Sequence, residues 1–336
     1  MKARFTIRML GIALLGLVLS ACVTSVLEVE GKAIQPVSKA LLAEMSRKSM
    51  SPSAPILVRI FKEESELEIW KRDRTGRFAL LKTYPMCRWS GKLGPKKRTG
   101  DRQAPEGFYH VNAGMLNPTS QYYLSFNLGY PNKLEAALGY SGEALMVHGA
   151  CSSSGCYALT DEGVAEIYSV AREALRGDQT SFQVQAFPFR MSPENMAKNR
   201  DDPNFAFWVD LKRGYDAFEV TRRQPTVSYC EGRYVFDADF GGAALGGPLA
   251  ACPPSLTPID TLVAKKSEAD RVAMESLVTS GVASSAHAYA DGGMHPVFRK
   301  LLSRKGEKAL AKQTSLTAVP ISRPDAALAD PHATGE

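Results

Sequence analysis

Apolar positions change their spacing several times along this chain, and each change marks an element. An apolar run comes first, Leu10 to Leu19, interrupted only by Gly11 and Gly16. Residues 37–45 are amphipathic and predict a helix that ends in the Ser51-Pro52 region. From Pro55 the period falls to two: Ile56 to Phe61, Glu66 to Trp70 and Phe78 to Tyr84 predict three short strands in an antiparallel meander. Phe108 to Val111, Tyr122 to Leu128 and Ala144 to Val147 predict further strands. Between them, residues 90–101 are rich in Gly, Pro and Lys and predict a long exposed loop carrying Lys92, Lys96, Lys97 and Arg98. A period near 3.6 returns after Thr160, where Val164, Ile167, Tyr168, Ala171 and Leu175 share one face and Gly177 supplies the stop. Phe182 to Phe187 alternates as a strand. Ser192-Pro193 opens a helix with a capping hydroxyl and a first-turn proline, and a second helix is predicted over 203–211.

This order predicts an α+β domain over 55–252, a mostly antiparallel β-sandwich with a few flanking helices. Residues 22–54 read as a spacer and helix. Beyond Pro253 large apolar residues become sparse while Ala, Ser and Pro dominate, so 253–336 is expected to be a mostly disordered tail, with 297–311 able to form a basic helix.

The first 21 residues change the picture. Lys2, Arg4 and Arg8 precede the apolar run, and Ser20-Ala21 places small residues before Cys22, the three-part build of a secretory signal. The run is short for a membrane span. Leu19-Ser20-Ala21-Cys22 also resembles the bacterial lipobox, so Cys22 is expected to become the acylated N-terminus. Val23 follows it, not the Asp of an inner-membrane retention signal, which points to a periplasmic protein held at the outer membrane. Losing 1–21 removes three basic residues and no acidic one, lowering the formal charge of +6 to +3. So small an excess excludes a nucleic-acid partner as the expected reading.

Of six cysteines, Cys22 leaves five: Cys87, Cys151, Cys156, Cys230 and Cys252. An odd number in an oxidising compartment predicts disulfides and one free thiol. Cys230 is expected to pair with Cys252, and Cys87 with Cys151. No second ligand pair stands at zinc spacing beside Cys151 and Cys156, so no metal or other cofactor is expected.

Residues 145–161 carry the chemistry: a strand ending in His148-Gly149, a loop of small residues, Gly155-Cys156, then a helix start at Thr160-Asp161. A thiolate attacks acyl carbon, and a neighbouring imidazole withdraws the thiol proton near neutral pH. Small residues such as Ser154 and Gly155 let backbone amides approach a tetrahedral oxyanion, each donor being worth about 3 kcal/mol. Three of the five histidines, His287, His295 and His332, fall in the tail, which leaves His148 beside the thiol as base and Cys156 as nucleophile. Asp161 reads as a helix-start residue and not as a third catalytic member.

This segment resembles the active-site motif of the YkuD-type L,D-transpeptidases, in which a His precedes a Ser/Thr-x-Gly-Cys element. Residues 60–64, Gly94-Pro95-Lys96, Thr99-Gly100-Asp101, residues 105–109 and 187–191 resemble that family in the same order, over roughly 55–230, and are most similar to its compact YafK-like branch. Ser154 stands where most members carry a second His, Tyr157-Ala158 replaces polar or basic residues, and the His-to-Cys insert is short. The resemblance implies the YkuD sandwich and a thioester mechanism on peptidoglycan stem peptides, making diaminopimelate-linked cross-links or protein attachments. It also implies an outer-membrane lipoprotein as a further acceptor or substrate. Arg190 and Tyr157 are expected to bind substrate, Arg190 by gripping a stem-peptide carboxylate. Two other classes stay open: a peptidoglycan amidase or endopeptidase on the same scaffold, and an inactive, lipid-tethered wall-binding protein.

Overall fold

A computed structural model describes residues 31–243, 245–254, 260–285 and 292–315; the signal segment, Cys22, His287 and His332 lie outside these described residues. The chain runs α1 (Lys39–Arg47), β1 (Ile56–Phe61), β2 (Glu66–Arg72), β3 (Phe78–Pro85), β4 (Arg88–Trp89), β5 (Gly107–Asn112), β6 (Leu116–Asn117), β7 (Ser125–Asn127), α2 (Lys133–Ala137), β8 (Met146–His148), β9 (Tyr157–Ala158), α3 (Asp161–Arg176) and β10 (Ser181–Phe187). It continues through α4 (Pro193–Lys198), α5 (Phe205–Thr221), β11 (Val227–Cys230), β12 (Arg233–Phe236), α6 (Thr261–Thr279) and α7 (Pro296–Thr314).

Two five-stranded sheets share one core, giving the expected α+β class. The first has the order β3-β2-β1-β10-β5 and the second β4-β9-β8-β7-β6. Each is antiparallel apart from one parallel pair, β1 with β10 and β8 with β9. Val58, Ile60, Phe108, Val184 and Ala186 of the first sheet meet Phe126, Val147 and Tyr157 of the second in a single apolar cluster. All six residues of β1 are buried because helix α5 covers its other face, which is why Ile56 to Phe61 reads as a continuous apolar run. Even Arg59 is buried there, its guanidinium 4.4 Å from the Tyr215 ring and paired with Glu219 at 2.5 Å.

Helix α3 starts where the sequence predicts. Thr160 caps it by accepting the Gly163 amide at 2.9 Å, and Ile167, Val170, Ala171 and Ala174 face the core. Fully burying Ile167 alone is worth roughly 2–3 kcal/mol.

Two expectations are corrected. The helix expected over 203–211 continues to Thr221, because Tyr215 and Phe218 keep the apolar period and stack on Arg59. The region beyond Pro253, expected to be mostly disordered apart from a basic helix over 297–311, carries two helical segments, α6 and α7, the second kinked at Gly306. Its apolar residues are few but each is placed. Met294, Phe298 and Leu310 close over Cys87, Cys151 and Ala158, and Met274 of α6 leans on the main core. Polar contacts complete the docking: Lys212 pairs with Asp270 at 2.6 Å, and Ser267 donates to Asp216 at 3.1 Å. Gly293 exchanges two 3.0 Å backbone hydrogen bonds with Trp89, extending the second sheet past β4. Among the described residues no helix is long and apolar enough to cross a membrane.

Candidate active site

Strand register brings the two expected catalytic residues to the paired strands β8 and β9, His148 at the end of one and Cys156 just before the other. Val147 lies opposite Tyr157 and His148 opposite Ala158 in the parallel pair β8–β9. Val147 and Tyr157 point into the core, both fully buried. Side chains alternate along a strand, so His148 points away from that core. Cys156 occupies the bend just before β9, its sulfur against the Met146 amide at the start of β8.

The loop that joins them is strained and heavily tied. Ala150 and Cys151 both hold left-handed backbone angles, φ 64° and 33°, each costing a non-glycine residue about 1–2 kcal/mol. Asp161 Oδ1 accepts the Ala150 amide at 2.7 Å, and a disulfide joins Cys151 to Cys87 next to β4. Gly149 donates to the Tyr122 and Leu124 carbonyls at 3.1 and 3.2 Å. A Cβ at Gly149 would collide with Asp161 Oδ1 and would approach the Tyr122 carbonyl oxygen to 2.9 Å. The glycine after the histidine is therefore a demand of close packing. Asp161 sits in the first turn of α3, as expected, and its role here is to fix this loop.

Cys156 is the free thiol among the described cysteines, with Cys230 joined to Cys252 as expected. It is partly exposed. Its Sγ accepts from the Met146 amide at 3.4 Å and donates to the Ala144 carbonyl at 3.8 Å. Burial pushes the thiol above its ordinary titration range, while the Met146 amide and the charge of Lys96 pull it back. His148 Nδ1 lies 2.6 Å from the Gly149 carbonyl oxygen, to which it donates. That bond leaves Nε2 as the proton acceptor. Burial holds the imidazole down to about 4, against the opposing pull of the Gly149 carbonyl. The resting pair is thus a neutral thiol beside a neutral base. The Tyr122 ring covers the imidazole with centroids 4.7 Å apart.

The small residues before the thiol do more than make room. Ser153 Oγ accepts the Cys156 amide at 3.2 Å and donates to the Cys156 carbonyl at 2.7 Å. Ser90 Oγ accepts the Gly155 amide and lies 2.9 Å from Ser153 Oγ. The Gly155 and Cys156 amides are thereby held by hydroxyls. Gly155, at φ 116°, is buried, and Ser154 beside it is exposed.

Two expected substrate contacts fall elsewhere. Tyr157 is fully buried, and its hydroxyl donates to the Pro105 carbonyl; as the residue next to the nucleophile on a strand, it must point to the opposite face. Arg190 is held by Glu66 at 2.5 Å and Glu68 at 2.8 Å and lies 4.2 Å from the Phe61 ring. Its fork is already engaged by carboxylates.

Sequence reasoning also passed over Lys96, which was assigned to a solvated loop. Lys92, Lys97 and Arg98 are exposed, but Lys96 is only 3% exposed. The loop is fastened from beneath by Lys62 Nζ, which donates to the Gly94 and Ala104 carbonyls at 3.2 and 3.0 Å and pairs with Glu106 at 2.9 Å. Charge alone gave no sign of this; the Gly94-Pro95-Lys96 motif did. Among the described residues no cluster of three or more His, Cys, Asp or Glu could hold a metal ion.

Comparison with known proteins now bears on this geometry. The L,D-transpeptidase catalytic domain (YkuD) matches residues 56–180, which take in the second sheet, the His148–Cys156 loop and every strand of the first sheet except β10. The Escherichia coli K12 protein YafK, named provisionally as an L,D-transpeptidase, is 44% identical over 200 residues, covering 60% of this chain and 78% of that one. This chain belongs to the L,D-transpeptidase family. Solved structures overlap less. A mutant form of the helical cell shape determining protein Pgp2 from Campylobacter jejuni shares 23% identity over 46% of this chain at a TM-score of 0.33, and the chain spans 55% of that one. Bd1075 of Bdellovibrio bacteriovorus shares 14% identity over 52% of this chain and 76% of its own length, at a TM-score of 0.30.

Proposed function

We propose that this L,D-transpeptidase-family protein is a cysteine acyltransferase acting on peptidoglycan stem peptides. The observation that carries the reading is a free thiol and an Nε2-accepting imidazole at the two ends of the loop joining the paired strands β8 and β9, a loop tied down by the disulfide and Asp161. As Cys156 Sγ attacks the carbonyl following a diaminopimelate residue, its proton passes to His148 Nε2. Collapse of the tetrahedral intermediate breaks the amide, and the departing amine takes the proton from His148. The thioester left on Cys156 is then resolved by an amine, giving a new amide and restoring the thiol, or by water, giving a carboxylate. No nucleotide or metal enters this sequence.

Transfer is the reading adopted, with a diaminopimelate-linked cross-link or a protein attachment as product. Hydrolysis by the same thioester is the alternative, motivated by Ser154 standing where most family members carry a second His. We place the protein in the periplasm, anchored to the outer membrane through lipid on Cys22, on the strength of the Leu19–Cys22 sequence. Purified protein incubated with muropeptides and an amine acceptor should yield new amide products by mass spectrometry, and Cys156→Ala should abolish them while keeping the wild-type circular dichroism. Shortened or released peptides alone would move the assignment to hydrolysis. Undiminished processing by Cys156→Ala would sink both.

A further inference from the structure

An attacking thiolate needs a positive charge nearby, and the imidazole does not provide one at rest. His148 is 3% exposed and held neutral down to about 4, so the ion pair that many Cys–His enzymes form before substrate arrives is disfavoured here. The charged groups around Cys156 are few. On β8 there is His148. On the opposite strand face Tyr157 is buried, and Glu106 beyond it is paired with Lys62. From the 91–102 loop come Lys96 and its partner Asp101, with Arg102, whose backbone passes Gly155, and Glu143 directly precedes the Ala144 that accepts the thiol proton.

Lys96 packs against the segment that holds the thiol's hydrogen-bond acceptor. Its Cε and Nζ pack against Gly142, where an added Cβ would lie 3.5 Å from Nζ, and Gly142 is two residues before Ala144, whose carbonyl accepts the Cys156 thiol. The ammonium is fixed by Asp101 Oδ1 and by the Arg98 carbonyl at 2.8 Å, and it lies 6.0 Å from the Tyr130 ring centroid. Asp101 is itself fixed: its other oxygen accepts the Lys97 and Arg98 amides at 3.1 and 2.9 Å, and Oδ1 also accepts the Gln103 amide at 3.0 Å. Beyond Tyr130 stand Tyr140 and Glu135, the latter hydrogen-bonded to Tyr109 at 2.6 Å. A cation so tightly held cannot wander to solvent, and its field lowers the thiol's titration against the effect of burial.

The geometry points to Lys96 as a positioning residue that supplies the positive charge on which the Cys156 thiolate forms. His148 then serves as proton acceptor and Lys96 as counter-charge, a division of labour between two residues where an imidazolium would otherwise do both. The inference rests on Cys156 being the nucleophile, but its test needs no wall peptide.

The experiment is the pH dependence of Cys156 alkylation by iodoacetamide, read by mass spectrometry of the Cys156 peptide in the folded full chain. In Lys96→Met the alkylation midpoint should rise by about one pH unit, slowing the reaction at pH 7 about tenfold. Lys96→Arg should restore it. Lys96→Gln, which keeps a donor for the Arg98 carbonyl, should behave as Lys96→Met and serves if the Met variant does not fold. A wild-type midpoint in the folded neutral variants, or a failure of Arg to restore it, overturns the inference. Because alkylation reports the thiol alone, absence of wall-peptide activity alongside a Lys96 series that shifts as expected would count against the proposed substrate and not against this charge.

Discussion

Replacing His148 by Asn removes an imidazole that the fold holds far below its ordinary titration. In the unfolded chain this group takes a proton near 6.5; in the folded protein it does so near 4. Between those values the unfolded chain binds the proton and the native protein does not, so stability is full above 6.5 and is lost as the pH falls towards 4. At 1.36 kcal/mol for each unit of difference, the loss amounts to roughly 3 kcal/mol below pH 4. Glu135 works in the opposite sense. Burial raises its carboxyl from 4.5 to about 7, so its contribution is present below 4.5 and lost as the pH rises through 7. In the native protein the two slopes offset each other. Urea unfolding followed by tryptophan fluorescence from pH 4 to 7.5 should therefore show a shallow profile for the wild type. His148→Asn should gain on the wild type by roughly 3 kcal/mol as the pH falls from 7 to 4, whatever their difference at pH 7. Glu135 and every other titrating group is common to both proteins and cancels in that comparison. Parallel profiles for wild type and variant would show that His148 is not held neutral, and the case for a separate counter-charge would fall with it. The same burial predicts that catalysis keeps its base well into mild acid, with the acidic limb of the rate near 4 instead of 6.5.

The two disulfides should differ in what they do. In the chain-entropy model, closing 64 residues through Cys87–Cys151 contributes about 4 kcal/mol and closing 22 through Cys230–Cys252 about 3 kcal/mol. Paired Cys→Ala variants should lower the melting temperature in both cases, but only removal of Cys87–Cys151 should also slow Cys156 alkylation and turnover; equal catalytic effects from the two pairs would count against a role for that bridge in holding the nucleophile loop. Cys22→Ala should leave the protein unprocessed and release it from acyl-lipid labelling, since each buried methylene of an attached chain contributes about 0.8 kcal/mol to membrane affinity; a variant still labelled and processed would refute lipidation.

The strands of the first sheet were legible because their apolar alternation is local: Ile56 to Phe61, Glu66 to Arg72 and Phe78 to Pro85 pair as a meander of sequence neighbours. Helix α3 was legible for the same reason, with its cap, stripe and stop within 18 residues of one another. The parallel insertion of β10 between β1 and β5 was not, since it depends on a partner more than a hundred residues away. The tail helix α6 was not legible because helix stripes are read by density of apolar residues, and here a few well-placed residues such as Met274 do the docking; α7 showed as a basic helix over 297–311, but its packing through Met294, Phe298 and Leu310 did not. At the site, Cys156 and His148 stood out by residue type and spacing. Tyr157 was misjudged by adjacency, because its neighbour's function says nothing about which face a strand residue takes. Lys96 was misjudged by composition, because a basic loop looks solvated until the partners that bury one of its cations, Asp101 and Tyr130, are brought in from either side.

The manner in which the loop is held has a chemical consequence. Two consecutive left-handed residues at Ala150 and Cys151 would relax to an ordinary backbone if released, and the disulfide, Asp161 and the apolar cover from α7 all bear on this one turn. Rigidity there fixes the direction of the β8–β9 ends and so the relation of His148 to Cys156, which no hydrogen bond between thiol and imidazole maintains among the described residues. It also fixes the amides of Gly155 and Cys156, whose hydrogens meet the hydroxyls of Ser90 and Ser153. On the proposed mechanism a carbonyl arriving over Sγ would compete with those hydroxyls for the same donors, and a developing oxyanion would compete far better than a neutral carbonyl, because charge-assisted hydrogen bonds are roughly twice as strong. On the proposed thioester mechanism the serines would keep the amides satisfied in the ground state and yield them as charge develops, concentrating the interaction in the transition state.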